Sequence, residues 1–317
     1  LTPDVERQAA ASRIDVVTPP AVTPRRHSRD FAGVDGLRLV ADEWGHASDE
    51  AGTVVLLHGG GQTRHSWKSA GVVLAKAGLV VVALDFRGHG DSDWSPELNY
   101  GLGVLRDDVL AVIDQIEQAG VGAQGRAREP GRVVLVGASL GGMTSLLVAQ
   151  AAPERIRSLV LVDIVTRLEP AGVARIRDFM LGAPDGFGTL QEAAEAVAAY
   201  LPHRRRDTNL AGLRKNLRLR ADGRWHWHWD PAQFWSERSP SADEVVAMLD
   251  DAAAAVHCPT LLVHGRKSDI VSDEGIEHFR TLLDHVEIVR LDDAAHTAAA
   301  DDNDTFAEVV VEFCLRG

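Results

Sequence analysis

Six short apolar runs punctuate the chain: Thr53-Val54-Val55-Leu56-Leu57, Val80-Val81-Val82-Ala83-Leu84, Val133-Val134-Leu135-Val136, Leu159-Val160-Leu161-Val162, Thr260-Leu261-Leu262-Val263 and the mixed run Val286 to Leu291. The first five are apolar at almost every position, the pattern of strands buried on both faces. Helical stretches lie between several of them. Ser66 to Lys76 is stopped by Gly78, and Gly103 to Gln118 by Gly120, with Val104, Asp108, Ala111, Val112 and Gln115 at loose helical spacing. Upstream, Arg29 to Trp44 reads as a hairpin turning at Asp35-Gly36. Strand and helix in alternation predict a mainly parallel sheet covered on both faces.

That rhythm stops after Asp163 and resumes near Pro259, which leaves residues 165–240 as an insertion between core segments 31–164 and 241–317. Within the insertion, Gln191 to Tyr200 is a strong helix former ended by Pro202. Residues 1–30, with Pro3, Pro19, Pro20, Pro24 and Arg25-Arg26-His27, read as an arm.

Chemistry gathers at the ends of the predicted strands. Gly137-Ala138-Ser139-Leu140-Gly141 closes one apolar run and opens a helix-like stretch, the pattern of a nucleophile elbow. A serine on so tight a turn exposes its hydroxyl at the tip of a sheet. Small residues two before and two after it leave clearance, and the Leu140 amide is free to bind an oxyanion. A second donor is expected from His58-Gly59-Gly60-Gly61, directly after the first apolar run, and Gly60 is taken as that donor. Downstream, Gly265-Arg266-Lys267-Ser268-Asp269 and Asp292-Asp293-Ala294-Ala295-His296 follow the last two runs. In the order Ser, acid, His, they nominate Asp269 as acid and His296 as base. Asp163, after the preceding strand, competes for the acid role.

These motifs, with Asp85-Phe86-Arg87-Gly88-His89-Gly90-Asp91-Ser92, resemble the α/β-hydrolase family over roughly residues 30 to 317. The resemblance implies an α/β-hydrolase fold: a mainly parallel sheet of eight-stranded type flanked by helices, with residues 165–240 as an inserted helical cap over the site. Asp85 and Arg87 are expected to tie loops together. The implied activity is a Ser139–His296–Asp269 serine esterase needing no metal or organic cofactor. The same framework carries cofactor-free haloperoxidases, which are perhydrolases in substance, and carbon–carbon bond hydrolases. The latter typically place tryptophan after the histidine, where this chain has Thr297. Epoxide hydrolases and haloalkane dehalogenases use an aspartate nucleophile, against which Ser139 counts. A catalytically silent binding protein is the non-enzymatic alternative.

Charge and composition narrow the partners. A net charge of −13 disfavours nucleic acid and anionic membrane, and no apolar run is long enough to span a bilayer. Cys258 and Cys314 form no CxxC pair; with no signal-peptide pattern, a cytoplasmic enzyme acting on a small-molecule ester is expected. Two insertion features bear on specificity. Between His203 and Arg224 stand eight basic residues (Arg204, Arg205, Arg206, Arg214, Lys215, Arg218, Arg220, Arg224) against Asp207 and Asp222. They are either a solvated face pairing with core acids or an attractor for an ester bearing a free carboxylate, such as a monoalkyl phthalate. Trp225-His226-Trp227-His228-Trp229, if extended, puts three indoles on one face and two imidazoles on the other, without the further ligands a metal would need.

Overall fold

The computed structural model describes residues 24–45, 52–119, 133–201, 210–234, 240–292 and 304–316. In chain order the strands are β1 (His27–Ala32), β2 (Arg38–Trp44), β3 (Thr53–Leu57), β4 (Val80–Leu84), β5 (Val133–Ala138), β6 (Ile156–Val162), β7 (Leu217–Leu219), β8 (Trp225–Trp227), β9 (Thr260–Gly265) and β10 (Glu287–Leu291). The helices are α1 (Lys68–Lys76), α2 (Leu102–Ala119), α3 (Leu140–Ala151), α4 (Pro170–Leu181), α5 (Leu190–Tyr200), α6 (Leu210–Leu213), α7 (Ala242–Ala254), α8 (Asp273–Leu282) and α9 (Asp304–Leu315).

Eight strands form one sheet in the order β1-β2-β4-β3-β5-β6-β9-β10. The β1–β2 and β2–β4 pairs are antiparallel and every other pairing is parallel. The predicted hairpin is present, with Asp35 and Gly36 both at positive φ in its turn. Each apolar run sends alternate residues to opposite faces, so one strand feeds two cores. Val55, Leu57, Leu135, Leu159 and Leu262 pack with Val109, Leu146, Ala252 and Phe279 of α2, α3, α7 and α8. Val54, Leu56, Val134, Val160 and Leu261 face Leu74 of α1 and Phe306 and Val310 of α9.

The inserted segment builds a third, separate cluster. Met180, Phe187, Ala193, Leu217, Trp227 and Trp229 are buried together. It contains the predicted helix as α5, capped by the Thr189 side chain, which accepts from the Glu192 amide. It also contains a two-stranded antiparallel ribbon, β7–β8, where helix alone was expected. Aromatic contact explains the ribbon. Trp227 stacks on Trp229 at 4.8 Å and meets Phe187 edge-on at 5.1 Å, an arrangement that an extended chain supplies.

Candidate active site

Strand order locates the site before any side chain is considered. From β3 the chain moves outward to β4, then returns to place β5 on the other side of β3. The carboxyl ends of β3 and β5 therefore flank a topological switch point, where open α/β sheets bind ligands. The glycine loop at residues 58–61 follows β3, and Ser139 follows β5.

Ser139 stands between β5 and α3 at φ 48° and ψ −113°, a conformation that side-chain-bearing residues avoid. Clearance around it is absolute. A Cβ on Gly137 would fall within 3.0 Å of the Gly141 carbonyl, and one on Gly141 within 3.0 Å of the Leu57 carbonyl. Beneath the hydroxyl lies the amino end of α3, twelve residues long, whose first amides have no intrahelical acceptor. The Leu140 amide is the first of them.

The glycine loop stands against this serine: a Cβ at Gly59 would lie 3.4 Å from that of Ser139. Its amides are not equivalent. Gly59 donates to Gln62 Oε1 at 3.2 Å and Gly61 to His89 Nε2 at 3.3 Å, so among the described residues Gly60 is the loop glycine whose amide is left for a ligand. Overhead, the Met180 sulfur lies 3.8 Å from a Cβ position on Gly60, and Trp229 reaches 3.4 Å from one on Gly61.

Three buried imidazoles hold this loop to the turn after β4. His58 Nδ1 donates to the Gly59 carbonyl at 2.8 Å, and its Nε2 accepts from the Phe86 amide at 3.1 Å. His89 Nδ1 donates to the Arg87 carbonyl at 3.2 Å while its Nε2 takes the Gly61 amide. His228, just after β8, accepts from the Gly90 amide at 2.7 Å and donates to the Gly61 carbonyl at 3.3 Å. Each ring is thus one donor and one acceptor, the neutral form. Burial pushes His58 down to about 4 and His89 down to about 3, and pushes His228 well below the ordinary histidine value.

Asp85 and Arg87 do tie loops together. Asp85 pairs with the Arg64 guanidinium and accepts from the Arg64 and Asp91 amides at 2.6 and 2.9 Å. Arg87 grips Asp108 with two bonds of 2.6 and 2.7 Å.

The two candidate acids have different surroundings. Asp163 follows β6, which lies beside the strand of Ser139, and is fully buried at φ 49°. It accepts from His264 Nδ1 at 2.9 Å, the Gly265 amide at 3.2 Å and Ser268 Oγ at 2.6 Å. Asp269 is one-third exposed and pairs with Arg175 of α4. In the loop after β9, position 268 turns toward the end of β6 and position 269 toward α4. That distinction is invisible in sequence, where adjacent Ser268 and Asp269 fit the same spacing; the pull of the Asp163 carboxylate on a hydroxyl is a tertiary fact. His296, Thr297 and Arg204 to Arg206 lie outside the described residues.

Arg214, Arg218, Arg220 and Arg224 are drawn into structure. Arg218 donates to Asp91 Oδ1 at 2.6 Å and the Gly90 carbonyl at 2.8 Å; Arg224 donates to the Asp185 and Gly186 carbonyls. Arg214 and Arg220 lie over Trp225 and Trp94. His226 faces Asp222, apart from His228, and no metal-binding cluster occurs among the described residues. No helix among them is long and apolar enough to cross a membrane.

An eight-stranded sheet with a strained serine at its switch point, opposite a glycine loop, defines a hydrolase of the α/β class. Residues 52–302 match the alpha/beta hydrolase fold family, and the chain belongs to it. It is 27% identical to Esterase Rv0045c of Mycobacterium tuberculosis over 282 residues, 86% of this chain and 85% of that one. It is 30% identical to the monoacylglycerol lipase of Mycolicibacterium smegmatis over 273 residues, covering 84% and 86%. A solved α/β hydrolase from Novosphingobium aromaticivorans superposes with a TM-score of 0.73 at 26% identity, over 92% of this chain and 99% of that one.

Proposed function

We propose that this protein hydrolyses carboxylic esters through an acyl-enzyme on Ser139. The observation that carries the reading is the strained serine, poised on a helix terminus and faced by the free amide of Gly60. Ser139 Oγ attacks the ester carbonyl as His296 takes its proton, and the amides of Leu140 and Gly60 receive the oxyanion. The alcohol leaves with that proton. Water, deprotonated by the same imidazole, then releases the acid and restores the serine. Relatives named esterase and lipase support this chemistry over peracid formation or carbon–carbon cleavage.

For the acid, position favours Asp163 over Asp269. Asp163 is fully buried at the end of the strand beside that of Ser139, a setting in which a carboxylate can fix an imidazole tautomer. Asp269 already faces a guanidinium, so it is the second reading.

Met180 and Trp229 above the loop suit an ester with an apolar group beside its carbonyl. Because Arg214, Arg218, Arg220 and Arg224 are engaged elsewhere, a neutral ester is the favoured substrate. A carboxylate-bearing monoester such as a monoalkyl phthalate is the alternative, with half-exposed Arg175 as its candidate partner. A fluorophosphonate should label Ser139, read by peptide mass, and Ser139→Ala should lower turnover at least about 10⁴-fold. An ester panel with and without a free carboxylate separates the two substrate readings; peracid formation that outpaced hydrolysis would displace the esterase reading.

A further inference from the structure

We infer that His228 is a positioning residue for the oxyanion loop, coupling the seating of the cap to the aim of the Gly60 amide; the inference rests on the esterase reading above. Three imidazoles bridge residues 59–61 to residues 86–90, and two of them belong to the core. The third arrives from outside. His228 follows β8 directly and is 1% exposed, and its ring centroid lies 5.9 Å from that of His89.

Its two bonds divide the work. The acceptor bond from the Gly90 amide joins cap to core and would serve docking alone. The donor bond to the Gly61 carbonyl lands on the residue next to the proposed catalytic amide. Gly61 sits at φ 70°, and a ring carbon of Trp229 stands over it. The Gly60 N–H shares a peptide unit with the Gly59 carbonyl, which His58 holds, and the next two units are held by His89 at the Gly61 N–H and by His228 at the Gly61 carbonyl. The Gln62 amide on the Gly59 carbonyl closes the turn, and His228 adds the cap's restraint on its last unit, whose rotation about residues 60–61 would redirect the Gly60 amide. An oxyanion donor acts through direction as well as presence, because the developing charge must lie where the N–H points.

A bland account, in which a buried polar ring simply satisfies its neighbours, predicts a stability effect without a selective effect on turnover. Two substitutions tell these apart. The Asn amide ends where imidazole Nδ1 lies, so His228→Asn keeps an acceptor toward Gly90 and loses the donor toward Gly61. The Gln amide reaches the Nε2 position, so His228→Gln keeps the donor toward Gly61.

With an aryl ester as substrate, His228→Asn should lower kcat about 10- to 100-fold with KM changed by less than about 3-fold, and His228→Gln should recover most of that loss. Stoichiometric fluorophosphonate labelling counts correctly folded sites in each variant, so that a folding defect is not read as a rate effect. Equal losses in Asn and Gln, or a loss confined to KM, would overturn the positioning role while leaving the esterase reading intact. Undiminished turnover in Ser139→Ala would remove the esterase reading and this inference with it.

Discussion

At the scale of single residues, the elbow glycines and the loop glycines answer to different constraints. A methyl group on Gly141 meets the Leu57 carbonyl, which belongs to a central strand and has nowhere to go. Gly141→Ala is expected to cost about 1–3 kcal/mol or more in urea unfolding. Gly60→Ala meets Met180, a side chain that can move, at 3.8 Å. It should unfold within about 0.5 kcal/mol of the parent. The acid assignment is tested at this scale too. Asp163→Asn should reduce kcat by about 10⁴-fold, as expected where a buried carboxylate fixes an imidazole tautomer, with Asp269→Asn far milder. The reverse ranking would restore Asp269. Ser139 and the glycines were legible because an elbow needs small residues at fixed offsets. The facing of Ser268 was not, since one-residue direction in a loop depends on what lies across from it.

At the scale of elements, the interior strands were legible because burial on both faces forbids polar interruptions. Strands β3 and β4 begin and end where the apolar runs do. Helix α7 was missed as a distinct element, although Ser241 and Glu244 form a reciprocal capping box at its start. The β7–β8 ribbon escaped for another reason. Three-residue strands show no periodicity, and their pairing goes with the burial of Leu217 and Trp227 beside Phe187 and Trp229. Helix α2 is joined to the turn after β4 by the Arg87–Asp108 pair, both side chains buried. Asp108→Ala strands a guanidinium in the interior and should destabilise the protein by about 3–5 kcal/mol in urea titrations.

For the whole molecule, the neutral histidines make stability depend on pH. An unfolded histidine protonates near 6.5, whereas His58 resists protonation down to about 4 and His89 to about 3. Between those values the unfolded chain binds more protons, so stability is full above pH 6.5 and declines on acidification. Each such group contributes a slope of about 1.4 kcal/mol per pH unit, and His58 a total of about 3 kcal/mol. Arg64 and Arg218 deepen the effect at His58 and His228, while Asp85 and Asp230 oppose it at His89. Urea midpoints measured from pH 7 to pH 4 should trace this decline. A flat profile would mean that the rings are not neutral and enclosed.

Attachment of the segment between β6 and β9 to the turn after β4, through Arg218, His228 and Asp230, also bears on redesign of the enzyme. A foreign roof transplanted onto this sheet would inherit a carbonyl at Gly61 and an amide at Gly90 that expect an imidazole between them. Chimaeras that exchange residues 165–227 while keeping the native stretch from 228 onward should therefore retain turnover better than those whose junction falls a few residues later.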